Sequence, residues 1–482
     1  METHPIRRRH LLGRAAASAA VLAAGPLGRL LQAAPAGASR PNIVFIMADD
    51  LARDELGCYG GKNVKTPNID AFARQGLRFT HAFASCAMCV PIRASLYTGL
   101  YPVRHGACRN HAPTKAGLKC VGDYLKPLGY RVGLTGKRHF DNKAAIDKVP
   151  GFQPNCVALQ ADYSLDGIRD FMSAQADQPF CLFVCSINPH APWTVGDASR
   201  FDPASLRLPP HIADTPKTRA AYAKYLAEVE VFDREVGDVL KTIDELKLAD
   251  STVVIVAGEQ GPQFPRGKWT CYDWGLRSAF IARWPGHIKP GATTAAMIQY
   301  EDVLPTLVEL AGGTPPAEVD GLSFASVLTG QKTEHRSHIF AVHNNVPEGR
   351  PYPIRAVRIA RHKLILNLAP AGGYHEKHVM DIDREDYWKS WEQAAAAGDA
   401  KARQAIDLYV KRPGVELYDC DKDPWELTNL ADKPGLAGLR ADLEGRLRQW
   451  MAQQNDPGAA LDVELPPARK GDKAKKAKKK QP

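Results

Sequence analysis

Between residue 40 and about residue 340, short apolar runs alternate with stretches of helical period. Asn42-Ile43-Val44-Phe45-Ile46-Met47 is a run of strand length without polar interruption, and residues 131–135, 180–187 and 252–257 repeat that type. Runs of this kind fit strands covered on both faces. Among them, Thr66-Pro67-Asn68-Ile69-Asp70 opens a helix through Gln75 that Gly76 ends. Residues 219–248 carry Tyr222, Leu226, Val229, Phe232, Val236, Leu240 and Ile243 at helical spacing, and 301–311 form a further helix with Pro305 near its first turn. The alternation predicts an α/β fold, a large mostly parallel sheet flanked by helices.

After about residue 345 the pattern changes. Residues 354–368 alternate apolar and basic positions, and Val415-Glu416-Leu417-Tyr418-Asp419 is a short strand before a turn at Asp423-Pro424. This predicts a smaller C-terminal α+β domain with an antiparallel sheet, closed by a helix over 436–454. The expected organisation is a leader over 1–39, a catalytic domain over 40–345, the smaller domain over 346–456, and a disordered tail over 457–482 that is Pro/Gly-rich and then lysine-rich.

The net charge of +10 belongs to the ends of the 482-residue chain. Residues 1–39 hold five arginines against one glutamate, and 468–482 hold eight Lys/Arg against one aspartate, which leaves the body at −1. A near-neutral body argues against a nucleic-acid partner. Arg7-Arg8-Arg9 before His10-Leu11-Leu12, an Ala/Leu-rich stretch and small-x-small sites at 34–38 read as a twin-arginine-type signal peptide, hence an exported, periplasmic or secreted protein. No segment after residue 40 is long and apolar enough for a transmembrane anchor. Export allows disulfides among Cys58, Cys86, Cys108, Cys120, Cys156, Cys181, Cys185, Cys271 and Cys420. Cys86-x-x-Cys89 lacks a second Cys/His pair at finger-like spacing, which argues against zinc.

Candidate chemistry clusters where strands end. Asp49-Asp50 follows the first strand, and paired carboxylates there suit a hard cation, although such a pair also makes a turn or cap. Glu259-Gln260 follows the strand over 252–257. Were these two pairs to share one ion, their three carboxylates and an amide oxygen would suit Ca²⁺, which tolerates irregular geometry better than Mg²⁺. Gly136-Lys137-Arg138-His139 is not a phosphate-binding loop, because Lys137 lacks a following Ser/Thr and position 131 is Arg where that loop needs Gly. His190 lies in Asn188-Pro189-His190-Ala191-Pro192, and Lys268 in Gly267-Lys268-Trp269. In Cys89-Val90-Pro91-Ile92-Arg93, Pro91 fits a first helical turn, which puts Cys89 at a helix N-terminus with Arg93 about one turn in.

The run from Cys89 through Arg93 to Thr98-Gly99 resembles the modification motif of the sulfatase family, whose fold is alkaline-phosphatase-like. The resemblance spans about 40–435 and takes in Thr66–Asp70, Val303-Leu304-Pro305-Thr306, Asp320-Gly321 and Leu417-Tyr418-Asp419. It implies that Cys89 is oxidised to formylglycine by a formylglycine-generating enzyme acting on the unfolded chain. It further implies one Ca²⁺ per chain held by Asp49, Asp50, Glu259, Gln260 and the group made from Cys89. Arg93 would support that group, Lys137 and Lys268 would hold sulfate oxygens, His139 would orient the diol, and His190 would protonate the leaving group. Ile92 stands where the family has serine, and Glu259-Gln260 where it has Asp-His or Asp-Asn. His343-Asn344-Asn345 and Tyr352-Pro353-Ile354-Arg355 look like the N-sulfoglucosamine sulfohydrolase branch, which implies a substrate pocket at His343 and Arg355 and a sulfated saccharide, or another sulfate ester, as substrate. A phosphatase or phosphonate hydrolase of the same superfamily, or a degenerate sulfatase that binds glycan without turnover, are the alternatives.

Overall fold

The strand Asn42–Ala48 lies inside an eight-stranded sheet in the computed structural model, which describes residues 40–140, 145–150, 164–382 and 384–463. From edge to edge the sheet runs Ala292–Thr294, Leu77–Phe79, Phe280–Arg283, Thr252–Gly258, Asn42–Ala48, Phe180–Cys185, Arg131–Gly136 and Asp147–Lys148. Only Phe280–Arg283 runs against its neighbours. Ile43 to Ala48 are at most 1% exposed, as an uninterrupted apolar run requires. The register pairs Met47 with Cys185, Ala48 with Gly258 and Gly136 with Cys185. The four parallel strands therefore end at one level, and the residues after them share one sheet edge.

The helices agree with the periodicity. Pro67–Gln75 and Pro216–Glu245 each begin with proline in the first turn, and Thr215 caps the longer one by accepting from Thr218 N at 3.1 Å. The helix expected over 301–311 is a 3₁₀ turn, Tyr300–Asp302, followed by Val303–Leu310.

The second sheet is antiparallel, in the order His338–His343, Ile354–Ile359, His362–Asn367, Val415–Asp419. It begins before residue 345, so the expected boundary falls inside this sheet. Its basic positions are not solvated. Arg355, Arg358 and Lys363 are buried, the last two against Asp273 and Lys363 also against Glu426 at 2.8 Å. The tail over 457–482 was expected to be disordered from its start, but residues 457–463 are ordered. Gly458–Leu461 forms a 3₁₀ turn, and the Asp462 carboxylate accepts from Asn345 N, Val346 N and Tyr352 N at 2.7–2.8 Å. Those three N–H groups account for a buried acid in a segment whose composition reads as polar tail. The leader over 1–39, Cys156, and residues 464–482 with the lysine run lie outside the described residues. The nine described cysteines are free thiols. Among the described residues no helix is long and apolar enough to cross a membrane.

Candidate active site

The helix Cys89–Thr98 is buried along its whole length. Its first N–H groups need acceptors, and Met88 supplies no side-chain cap. Asn110, from a loop twenty residues on, accepts from Val90 N at 3.2 Å. Gly99, at φ 68°, ends the helix in the left-handed conformation that glycine adopts without strain. Pro91 thus occupies the first turn, and the Cys89 side chain emerges at the N-terminus, 1% exposed. Its Sγ lies 3.5 Å from Asp49 Oδ1 and 3.4 Å from Gln260 Nε2.

The strand ends bring the remaining groups to this thiol. Asp49 N donates to Asn188 O and Glu259 N to Ala48 O, at 3.1 and 3.0 Å, which ties three strand exits together. Gly136 has φ 75°, and a Cβ there would lie 1.9 Å from Cys185 O, so only glycine lets the chain turn into Lys137. Asp50, His139 and Trp269 also have positive φ, at 62°, 45° and 64°. Left-handed backbone at non-glycine residues costs on the order of 1 kcal/mol each, and such residues concentrate at functional sites.

Three carboxylates interleave with three cations. Arg93 Nη2 is 2.6 Å from Glu259 Oε2 and 3.8 Å from Asp49; Lys268 Nζ is 2.7 Å from Asp50 Oδ2; Lys137 Nζ pairs closely with Asp49. Burial would raise the Asp49 carboxyl and Cys89 adds to that, but Lys137, His190 and Arg93 hold it below its usual value. Glu259 is pushed well above the carboxylate range, chiefly by burial and then by Asp49 and Cys89, against the pull of Arg93. Glu259 Oε1 and Gln260 Oε1 are both buried and accept no hydrogen bond among the described residues. Two orphaned oxygens beside Asp49 and Asp50 fit a hard cation with oxygen ligands. Ligand atoms of Asp49, Cys89 and His190 also lie within 4.8 Å of one another.

Above the thiol is a cavity of about 420 Å³, whose lining includes Cys89, His139, His190 and Lys268. Lys137 and Arg93 lie buried beneath it. Burial lowers His139 to about 4, so its imidazole is neutral at pH 7. Its Nε2 is 3.4 Å from His111 Nδ1. His190 Nδ1 donates to Ala191 O at 2.6 Å, which leaves Nε2 facing Asp50 at 3.7 Å. A carbonyl acceptor on Nδ1 fixes that nitrogen as the donor and turns Nε2 toward the site.

Two expected substrate residues are elsewhere. His343 and Arg355 are fully buried and do not line the cavity. Arg355 Nη2 binds Asp456 Oδ1 at 2.9 Å, and Nη1 binds Asn344 Oδ1 at 3.1 Å. That guanidinium holds the small sheet to the segment after the last helix. The cavity wall instead uses Asn110, His111, Trp269, Glu348, His378 and Arg384. Most of these come from loops, where no period marks a functional side chain. The one sequence signal was polar and aromatic residues crowded around Lys268 and after residue 345.

Residues 41–313 match the family model for sulfatases, and 265–382 match that for the C-terminal part of N-sulphoglucosamine sulphohydrolase. An ulvan-active sulfatase of Formosa agariphila is 33% identical over 435 residues, covering 89% of this chain and 83% of that protein. Human N-sulphoglucosamine sulphohydrolase is 26% identical, covering 87% of this chain and 91% of its own. A solved structure described as bound to its substrate D-glucosamine-2-N,6-O-disulfate superposes with TM-score 0.67 at 20% identity, over 87% of this chain and 99% of that one.

Proposed function

The chain belongs to the sulfatase family of sulfuric ester hydrolases, and from that premise we propose that it removes sulfate from a sulfated saccharide through Cys89, converted to formylglycine, beside one bound Ca²⁺. The observation that carries this reading is the contact of Cys89 Sγ with Asp49 and Gln260, in a nest where Glu259 and Gln260 each keep an oxygen without a donor. Asp49, Asp50, Glu259 and Gln260 would hold the cation. The cation would offset negative charge on a bound sulfate, and a formylglycine hydrate at position 89 would supply a nucleophilic hydroxyl.

The chain's own side chains do the rest. Lys137, Lys268 and Arg93 are fixed by their carboxylates before substrate arrives, so no reorganisation accompanies charge development. Ala191 O takes the Nδ1 hydrogen of His190, so a proton for the leaving oxygen sits on Nε2 in the imidazolium form of the ring. His139, neutral beside position 89, can accept a proton from the group made there.

A saccharide fits the relatives' names, which specify ulvan and N-sulphoglucosamine, and the disulfated glucosamine of the structural neighbour. Export as a periplasmic or secreted protein is the companion proposal, supported by Arg7-Arg8-Arg9 and the Ala/Leu stretch after it. Mass spectrometry of the Cys89 peptide should show an aldehyde in place of the thiol, and a panel of defined sulfated saccharides should include substrates. An active enzyme with an unmodified thiol, or turnover of aryl phosphate above aryl sulfate, would sink the reading.

A further inference from the structure

The charges that line the cavity are unequally engaged. Four Lys, Arg, Asp or Glu side chains line it: Lys268, Glu348, Arg384 and Glu385. Lys268 is held by Asp50 at 2.7 Å. Glu348 Oε2 lies 2.6 Å from His378 Nε2 and 3.4 Å from Lys377 Nζ; burial would raise its carboxyl, but its contacts with His378 and Lys377 hold it at about 2. Glu385 Oε2 is 2.7 Å from Lys224 Nζ. Arg384 is exposed to the cavity and forms no ion pair among the described residues. Both acids on this wall thus have basic partners of their own, and among the described residues Arg384 has no anion.

The rest of the wall suits a sugar ring. Trp193, Trp269 and Tyr387 line the same space. Trp193 is braced by stacking on Phe264 at 4.9 Å and 16°, and Trp269 by His378 at 5.3 Å and 10°. Rigid aromatic side chains offer apolar contact at little entropic cost. A cavity of about 420 Å³ is in the range of small-ligand sites, larger than one sulfate group needs.

We propose that Arg384 forms a subsite for a second oxyanion of the substrate, a uronate carboxylate or a further sulfate on the same saccharide, while the sulfate to be cleaved lies over Cys89. This rests on the sulfatase reading. A guanidinium presents two parallel N–H groups to an oxyanion, a geometry lysine does not reproduce.

The test compares Arg384→Ala and Arg384→Lys with the parent on three matched sugars: one sulfate, two sulfates, and one sulfate with an attached uronate. For Arg384→Ala, KM should rise about tenfold or more on a doubly anionic sugar relative to its change on the singly sulfated one, with little change in kcat. Arg384→Lys should recover part of the loss. A rise confined to the disulfated or to the uronate sugar identifies which oxyanion binds. Calorimetric binding of the same sugars in a Cys89→Ala background should give the same ratio without turnover, so a failure of the parent to hydrolyse any sulfate leaves this comparison decisive. Equal effects on all three sugars, or none on any, would overturn the assignment.

Discussion

Glu235 binds Asn188 Nδ2 at 2.8 Å with one carboxylate oxygen and Ser186 Oγ at 2.5 Å with the other. Two turns earlier on the same helix, Glu228 accepts from Thr194 N and Val195 N at 2.5 and 3.1 Å. The helix Pro216–Glu245 therefore grips the His190 loop on both sides. Glu235→Gln should misplace His190 and lower kcat about tenfold to a hundredfold for a substrate with a poor leaving group, and much less for a nitrophenyl sulfate. The slope of log kcat against leaving-group pKa measures this. An equal loss on both substrates would reduce Glu235 to a folding role.

The nest at Asp49, Asp50, Glu259 and Gln260 predicts a stability that depends on divalent cation. Chelation should lower Tm, and Ca²⁺ at about a thousand times its Kd should return about 4 kcal/mol, with Mg²⁺ less effective at equal concentration. Gln260→Ala should weaken the Ca²⁺ dependence. Melting curves across cation concentrations decide, and a Tm indifferent to chelator and to added ion would count against a bound cation.

Arg93 and Glu259 form a fully buried pair at 2.6 Å. Arg93→Ala takes one cation from the buried Asp49 carboxylate and a donor from both Glu259 Oε2 and Lys137 O, so it should cost about 3–5 kcal/mol. Urea unfolding of the chelated protein isolates this from the effect of the cation. Glu259→Gln, which leaves Arg93 its contact with Asp49, should cost less.

Glu55 sits away from the cavity, and its pH response has a definite sign. Burial raises its carboxyl to about 7, against the hydrogen bonds from Tyr222 and Asn63. The folded form then holds a proton that the unfolded form releases near 4.5. Stability from this group is full below about 4.5, falls as pH rises toward 7, and is level above. Glu55→Gln should flatten that slope, measured by denaturant titration at pH 5 and pH 8, and should be relatively more favourable at pH 8.

Local order explains what could be read in advance. Cys89, Pro91 and Arg93 share one helical turn, so their spacing carries their geometry. Asp49-Asp50, Lys137 and Glu259-Gln260 follow strands whose apolar runs are unmistakable, and a parallel sheet collects such ends on one edge. Asn110, Glu348 and Arg384 reach the cavity from connections without a period, and His378 from a helix of four residues, too short to show one. Arg355, expected in a substrate pocket from its resemblance to the sulfohydrolase branch, instead pairs with Asp456, 101 positions away, a contact that no local pattern marks.

Cys89 is 1% exposed at the start of a helix buried on every side. No second protein can close around that sulfur once the helix has packed. On the proposed conversion of Cys89, the fate of each molecule would be decided before this helix packs, in a race between a modifying enzyme and the closing fold. Molecules that lost the race would stay thiols, and later addition of the modifying enzyme should not rescue them. A purified batch would then be a mixture with fixed proportions, whose specific activity records how the host cell ran that race.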